Sequence, residues 1–544
     1  MLEGRVTLLM GDSLGRVRAW FPSNLDSGRV SLVKGHEFTG WRSPIVSIGT
    51  PSRNRTLTAI DEAGEFKILY ATNDRELADV PRLPNERFLA AAFSPSQSEL
   101  LTLSDQGVKT WRYDAPHADV SFKGLFRPVW YESDARPTYS WSANSTEPKF
   151  GLMPLIFGTL KATFYSMLFG APLALMAAVF AAEFLHPNVK ARIKPVIELM
   201  ASLPSVVLGY VAGMVFAPLL SDVLPQAIAA IVFVPLGLLC GAYLWQLLPQ
   251  RWTLQAGAWR LACIAVCILP GLALAAASGE WFEQLLFGKS MKGWLTEDIL
   301  SADKKSSPFG GWFLLLLPLA GLLVVWLGGL LIDDILRSIT RNATRRQAAL
   351  WHFGKFVVMT IATLALAASV AGILSGFHAD LRSPESDERY SRSNSLLVGI
   401  TMGFAIIPLI FTIADDALST VPNHLRSASL GAGATPWQTA VRIVIPTATS
   451  GLFSALMIGL GRAVGETMIV LMTVGNTPIM DFNIFNGFQT LSAAIAVGLT
   501  EAPHGGSQYR VLFLAAFALF VITFIINTVA ESVRQRFRRR AYEL

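Results

Sequence analysis

From residue 150 to the C-terminus the chain alternates apolar runs with short polar loops. Nine of these runs are long enough to cross about 30 Å of hydrocarbon. They fall at 155–182, 196–220, 226–248, 259–279, 310–332, 354–376, 395–414, 451–474 and 510–530. A run inside lipid has no water to satisfy its backbone, so each is expected as a helix. Composition supports this: 52% of residues are hydrophobic and 15% charged, against about 25% charged in a soluble domain. Soluble globular and intrinsically disordered classes are excluded. The expected fold is a multi-pass all-α membrane protein preceded by a different kind of domain.

The loops orient the helices through their Lys/Arg bias. HPNVKARIK (186–194) carries three basic residues and no acid, RSITRNATRR (337–346) four arginines, and RQRFRRR (534–540) five. Strict alternation from an N-terminal region outside the cell places all three inside. The net charge of +6 belongs to this bias, so no nucleic-acid partner is implied. Cys240, Cys263 and Cys267 lie in apolar stretches without His or carboxylate at ligand spacing. They form neither a metal site nor a disulfide framework.

Residues 1–145 lack long apolar runs and show strand-like segments at Val6–Met10, Ile45–Ile48, Phe66–Tyr70, Phe88–Phe93, Glu99–Leu103 and Val108–Tyr113. Three stretches repeat one plan: 7–20, 57–70 and 100–113. Each has an apolar strand, an Asp-to-Gly turn (Asp12/Gly15, Asp61/Gly64, Asp105/Gly107), and a strand ending in Trp20, Tyr70 or Trp111. The spacing resembles WD40-like β-propeller blades, an ordinary β-meander being the alternative. Three blades do not close a propeller. No signal peptide or leading apolar helix precedes this region. A domain outside the membrane therefore predicts that the functional protein begins upstream of Met1, with one more helix and the rest of the propeller.

The helical part shows no embedded enzyme. Gly288-Lys289-Ser290 imitates the end of a phosphate-binding loop, but position 283 is Glu and no strand precedes it. No cofactor is implied. Asp415 to Ser450 is a long polar interruption between two spans, expected to lie at the cytoplasmic face. Within it Gly433 permits a sharp turn, Pro446 limits the preceding helix, and a short helix would present Ala428, Ala432 and Trp437 to a partner. An amphipathic linker is the plainer reading. In the 451–474 run Arg462 and Glu466 stand four residues apart, on one helix face where they can pair. Ionised groups inside a span mark either a pathway or a structural ion pair. Glu198 lies near the inner end of its run, and Pro204 interrupts the same helix.

Residues 427–446 (SASLGAGATPWQTAVRIVIP) resemble the EAA coupling loop of ABC-transporter permeases when aligned on Gly433, Ile443 and Pro446. The Glu-Ala-Ala of that pattern falls on Ser427, Ala428 and Ser429, so its glutamate is absent. Residues 150–180, 197–210 and 459–476 are similar to the phosphate-transporter permease of PstC type. The resemblance covers about 150–220 and 391–535, leaving 226–390 as an insertion with extra helices in a 150–535 permease domain. It implies a permease subunit of an ABC importer of inorganic phosphate in the bacterial cytoplasmic (inner) membrane, with Arg462 and Glu466 in the substrate pathway. It also implies a dimer of ATPase subunits on the 415–450 loop, a second permease subunit and an extracytoplasmic phosphate-binding protein. The alternatives are a permease for molybdate or sulfate, or a signalling receptor with an extracytoplasmic β sensor.

Overall fold

The computed structural model describes the chain apart from residues 1–5, 25–29, 81–85, 249–262, 291–293, 295–307, 378–392, 543–544 and a few single positions. The repeat of the N-terminal region folds as three copies of one hairpin. Leu8–Gly11 (β1) pairs with Val17–Asn24 (β2), Thr56–Asp61 (β5) with Phe66–Tyr70 (β6), and Glu99–Ser104 (β9) with Gly107–Arg112 (β10). In each copy the closing aromatic faces the opening of the strand before it: Trp20 opposite Leu8, Tyr70 opposite Thr56, Trp111 opposite Leu100. Gly15, Gly64 and Gly107 turn these hairpins at φ +71°, +83° and +125°, backbone that other residues rarely adopt. Asp12 and Asp61 accept backbone N–H groups across their own turns, which fixes the turn chemistry.

Around the hairpins, Val30–Phe38 (β3), Ile45–Gly49 (β4), Arg75–Val80 (β7) and Phe88–Phe93 (β8) complete three antiparallel meanders, β1-β2-β3, β4-β5-β6-β7 and β8-β9-β10. Aligned on the hairpin, the middle sheet has the full four-strand set. The first shows its last three strands and the third its first three. The sheets stack through two apolar layers. Val17, Ala19, Phe38, Trp41, Leu57 and Leu69 fill one, and Ile60, Phe66, Ile68, Phe88 and Leu100 the other. These are small antiparallel sheets that do not close into a propeller among the described residues. Phe122–Phe126 (α1), Trp141–Ser142 (β11) and Lys149–Phe150 (β12) lead from the sheets to the helices.

The helices are Met153–Glu183 (α2), Pro187–Ala201 (α3), Ser205–Val211 (α4), Ala217–Asp222 (α5), Leu224–Leu247 (α6), Ile268–Phe287 (α7), Phe309–Leu331 (α8), Asp333–Thr340 (α9) and Arg345–Gly376 (α10). Then come Ser395–Ser419 (α11), Asn423–Gly431 (α12), Pro436–Thr439 (α13), Ile445–Gly465 (α14), Met468–Thr473 (α15), Leu491–Glu501 (α16) and Ser507–Tyr542 (α17). Seven described helical stretches are long and apolar enough to cross a membrane, and a bent pair makes an eighth. Two of the nine expected spans are therefore corrected. The 196–220 run bends by 86° between α3 and Ser205–Leu220, where Pro204 has no N–H to donate and clashes with a helical carbonyl. The 451–474 run stops at Gly465 and restarts at Met468. The 259–279 run lies partly outside the described residues, and its described part continues in α7.

The chain forms two compact units: Met1–Tyr210 with Ser395–Phe482 and Gly487–Leu544, and Val211–Asn394 with Asn483–Asn486. In the first, α2 packs along α11 through small residues. A methyl on Gly170 would meet the carbonyl of Gly403 at 2.8 Å, so the two backbones touch directly. Ala171, Ala174 and Ala178 extend this seam to Met402, Ile406 and Ile410. Leu125, Phe150, Leu155, Leu491 and Val511 join the sheet-side connector to the starts of α2, α16 and α17. In the second unit α6 packs on α7, where Gly271 lies against the Phe233 carbonyl. Cys267 donates to the carbonyl of Cys263, an ordinary turn of helix.

Candidate functional site

The 423–444 stretch is two short helices joined by a fixed corner. Helix α12 ends with the Gly433 N–H on the Leu430 carbonyl and the Ala434 N–H on the Ser429 carbonyl. This double closure requires a left-handed residue, and Gly433 supplies it at φ +91°. Thr435 and Gln438 then cap α13 reciprocally through side chain and backbone. Ser429 and Thr439 hydroxyls, 2.9 Å apart, tie the two helices together. Ser427, Ala428, Ala432, Gly433 and Trp437 are exposed, Ser429 and Ile443 half-buried, and Pro446 exposed. Five of the six loop residues singled out in the sequence lie within 423–444, and Pro446 falls just beyond it in α14. Pro446 does not end the preceding helix as expected. Ala440–Val444 widens into a π turn just ahead of it, and the helix runs on from Pro436 to Gly465. The wider turn carries the helix past a residue that cannot donate its own hydrogen bond.

The residue before Ser427 ties the loop to α2. Arg426 reaches Glu183 at the end of α2 with Nη2 at 2.9 Å and Nε at 3.2 Å. The same guanidinium donates to the carbonyls of Val421 and Leu418. Beside it, Lys190 and Lys194 pair with the buried Asp415 and with Asp416. These anchors escaped the sequence reading because Glu183 and Arg426 are 243 positions apart. A basic loop followed far downstream by two acids was the sole signal. Since α2 holds the sheet-side connector at one end and Arg426 at the other, the strands and the 423–444 element sit at opposite ends of a helix of 31 residues.

The expected pairing of Arg462 with Glu466 is not formed. Glu466 is the residue after α14, with extended backbone at ψ 125°. A carboxylate oxygen of Glu466 accepts the Ile469 N–H at 3.4 Å, and its carbonyl accepts the Ser492 hydroxyl. Arg462 is exposed and makes no side-chain hydrogen bond or ion pair to the described residues. The break between α14 and α15 thus separates the two charges, leaving a guanidinium on the uncovered face of a membrane helix. Glu198 and Pro204 fall in α3 and at the bend that follows it. A charged pair not read from the sequence joins a buried lysine to a half-buried acid: Lys161 of α2 meets Asp481 at 2.9 Å.

With this geometry in hand, known proteins supply a context. Residues 353–541 match the family described as the binding-protein-dependent transport system inner membrane component. The match covers the second half of the helical region. The match begins within the stretch assigned to the insertion and takes in α11 to α17. The chain is similar to a phosphate transport system permease protein PstC of Mesorhizobium japonicum, 36% identical over 27% of this chain and 44% of the relative. It is similar to a probable ABC transporter permease protein YqgH of Bacillus subtilis, 33% identical over 26% of this chain and 47% of the relative. A phosphate transport system permease protein PstA 1 of Mycobacterium tuberculosis is 31% identical over 26% of this chain and 47% of its own length. The chain spans less than half the length of these relatives. It is a multi-pass protein of the bacterial cytoplasmic membrane.

Proposed function

We propose that this chain is a permease subunit, of PstC type, of an ABC importer of inorganic phosphate. The observation that carries the reading is the 423–444 element: two exposed short helices, cornered at Gly433 and pinned to α2 by Arg426, at the end of the spans away from the strands. A rigid exposed element of this kind suits docking to a dimer of ATPase subunits, whose movement would pass through α14 to the break at Glu466. The β region would lie outside the cell and the 415–450 loop inside. An extracytoplasmic phosphate-binding protein would deliver the substrate.

Arg462 presents its fork of donors toward a face that a second permease subunit would cover. A guanidinium matches two oxygens of an oxyanion at once, and it is worth more when little water competes. Glu466, held by the Ile469 N–H rather than by Arg462, leaves that fork free for substrate. The names of the relatives favour phosphate among oxyanions. The test is uptake of radiolabelled phosphate by proteoliposomes holding the chain with its partner subunits and ATP. We expect uptake that excess sulfate or molybdate does not suppress. Suppression by either would move the assignment to that anion, and ATP-independent or absent uptake of all three would defeat the reading.

A further inference from the structure

Lys161 lies in the third turn of α2, with its side chain 0% exposed and its ammonium 2.9 Å from Asp481. An ammonium and a carboxylate inside a membrane protein give up their hydration, and two apolar side chains of similar size are usually at least as stable there. Stability alone therefore does not account for the pair. The partners also differ in setting. Lys161 stands on a long helix whose backbone is locked to α11 at Gly170 and Gly403. Asp481 stands on 475–482, a stretch that is neither helix nor strand.

That stretch is held on α2 by one face. Phe157 packs edge-on against Phe482 at 4.9 Å, Lys161 takes Asp481, and the Tyr165 hydroxyl donates to the Phe482 carbonyl. These three positions are four residues apart along α2, one above the next. At the start of the stretch Asn476 adopts φ +48°, and its side-chain oxygen is buried without a partner among the described residues. A buried acceptor left unsatisfied marks a conformation that a second arrangement can improve. The stretch follows directly on α15, whose first turn carries the N–H that holds Glu466. Any movement of 475–482 therefore reaches the break beside Arg462.

We propose that Lys161 and Asp481 form a latch between α2 and the 475–482 stretch that opens and closes during transport, making Lys161 a positioning residue for the pathway at Arg462. The proposal rests on the import reading above. Its test places Lys161→Cys and Asp481→Cys in a chain whose Cys240, Cys263 and Cys267 are replaced by Ser, assembled with its partner subunits in proteoliposomes. A short bis-thiosulfonate reagent reads whether the two positions are adjacent. Cross-linking is expected in the nucleotide-free complex and to fall about ten-fold when ATP hydrolysis is trapped. The cross-linked complex should stop importing phosphate and recover on reduction. Equal cross-linking in both states, with import unchanged by the cross-link, overturns the latch.

A second variant guards against a cysteine pair that fails to assemble. Lys161→Leu with Asp481→Leu should reach the membrane at the wild-type level, because no lone charge is left behind. Its maximal uptake rate should fall about ten-fold with KM unchanged, the signature of a lost step rather than lost binding. Wild-type uptake by this variant means the pair is only structural. The cross-link reads motion without reference to substrate. State-dependent cross-linking, where the complex with Lys161 and Asp481 intact imports no phosphate, therefore sinks the phosphate assignment and keeps the latch, whereas static cross-linking in a complex that imports sinks the latch alone.

Discussion

At the scale of single residues, two substitutions separate chemistry from scaffold. Arg462 has no partner among the described residues, so Arg462→Ala removes a guanidinium without orphaning a carboxylate. Uptake should vanish while membrane insertion and ATPase co-purification stay normal. Phosphate uptake at the wild-type rate would remove Arg462 from the pathway. Glu466→Ala, for its part, deletes a weak cap on Ile469 rather than half of an ion pair, and the protein should accumulate normally. Gly433 is the second case. Nothing lies within 4 Å of a methyl added there, so the penalty of substitution is the backbone's alone. A left-handed conformation costs an L residue about 1–2 kcal/mol, with Asn the mildest and a β-branched residue the worst. ATPase stimulation by substrate should fall in the order Gly433, Gly433→Asn, Gly433→Ala, Gly433→Val; equal stimulation across the series would show that the corner is not needed for coupling. Gly433 was legible because a glycine among small residues in a polar interruption points to a turn of the backbone. The fate of Glu466 was not, since periodicity places residues on a helix face only while the helix lasts, and Gly465 ends it.

At the scale of elements, the strands and most spans follow from local pattern, and the anchors between them do not. The Asp-to-Gly turns announced three hairpins because each needs a side-chain acceptor and a positive φ within a few residues. Strands β3 and β7 carry no such punctuation and were missed. Arg426 and Glu183 show the same limit, since a contact between distant segments leaves no spacing to read. Arg426→Ala strips a charge partner from Glu183 and a donor from two carbonyls, which should cost about 2 kcal/mol. A thermal-melting double-mutant cycle with Glu183→Ala should return a coupling of about 1–3 kcal/mol; additive effects would mean the tether contributes nothing. The connector at 129–150 is held on the sheets by another distant set, Arg55 with Glu132 and Glu147. Burial opposes the charge of Glu132, but hydrogen bonds from Arg55 and Thr7 outweigh it and hold the carboxyl below its ordinary 4.5. A depressed carboxyl stabilises the fold above its unfolded value and loses that contribution as pH falls through the folded one. Protease cleavage of the connector in the intact chain should therefore rise as pH falls below about 4.5, with Glu132→Gln flattening the change.

At the scale of the whole molecule, two kinds of order meet in one chain: strands that must keep their apolar layers from water, and helices that must keep their backbone from lipid. The division near residue 145 was plain because these demands leave opposite patterns, period two with turn residues against unbroken apolar runs. Proline and glycine breaks inside a run leave its hydropathy nearly unchanged, so the bend after α3 and the gap at Glu466 could not be seen by counting apolar residues. What the fold adds is a direction. Helix α2 carries the strand side at Leu155 and the 423–444 side at Glu183, and in the proposed topology the second end would face the cytoplasm. Ser13 in the first hairpin turn and Ser427 in α12 are both exposed, so each can be made a cysteine without disturbing a core. With Cys240, Cys263 and Cys267 replaced, a membrane-impermeant maleimide added to intact cells with a permeabilised outer membrane should label Ser13→Cys and spare Ser427→Cys. In inverted vesicles the pattern should reverse. Labelling of both from the same side would break the opposed arrangement, and with it the idea that one helix carries motion from an ATPase face to an outward-facing β region.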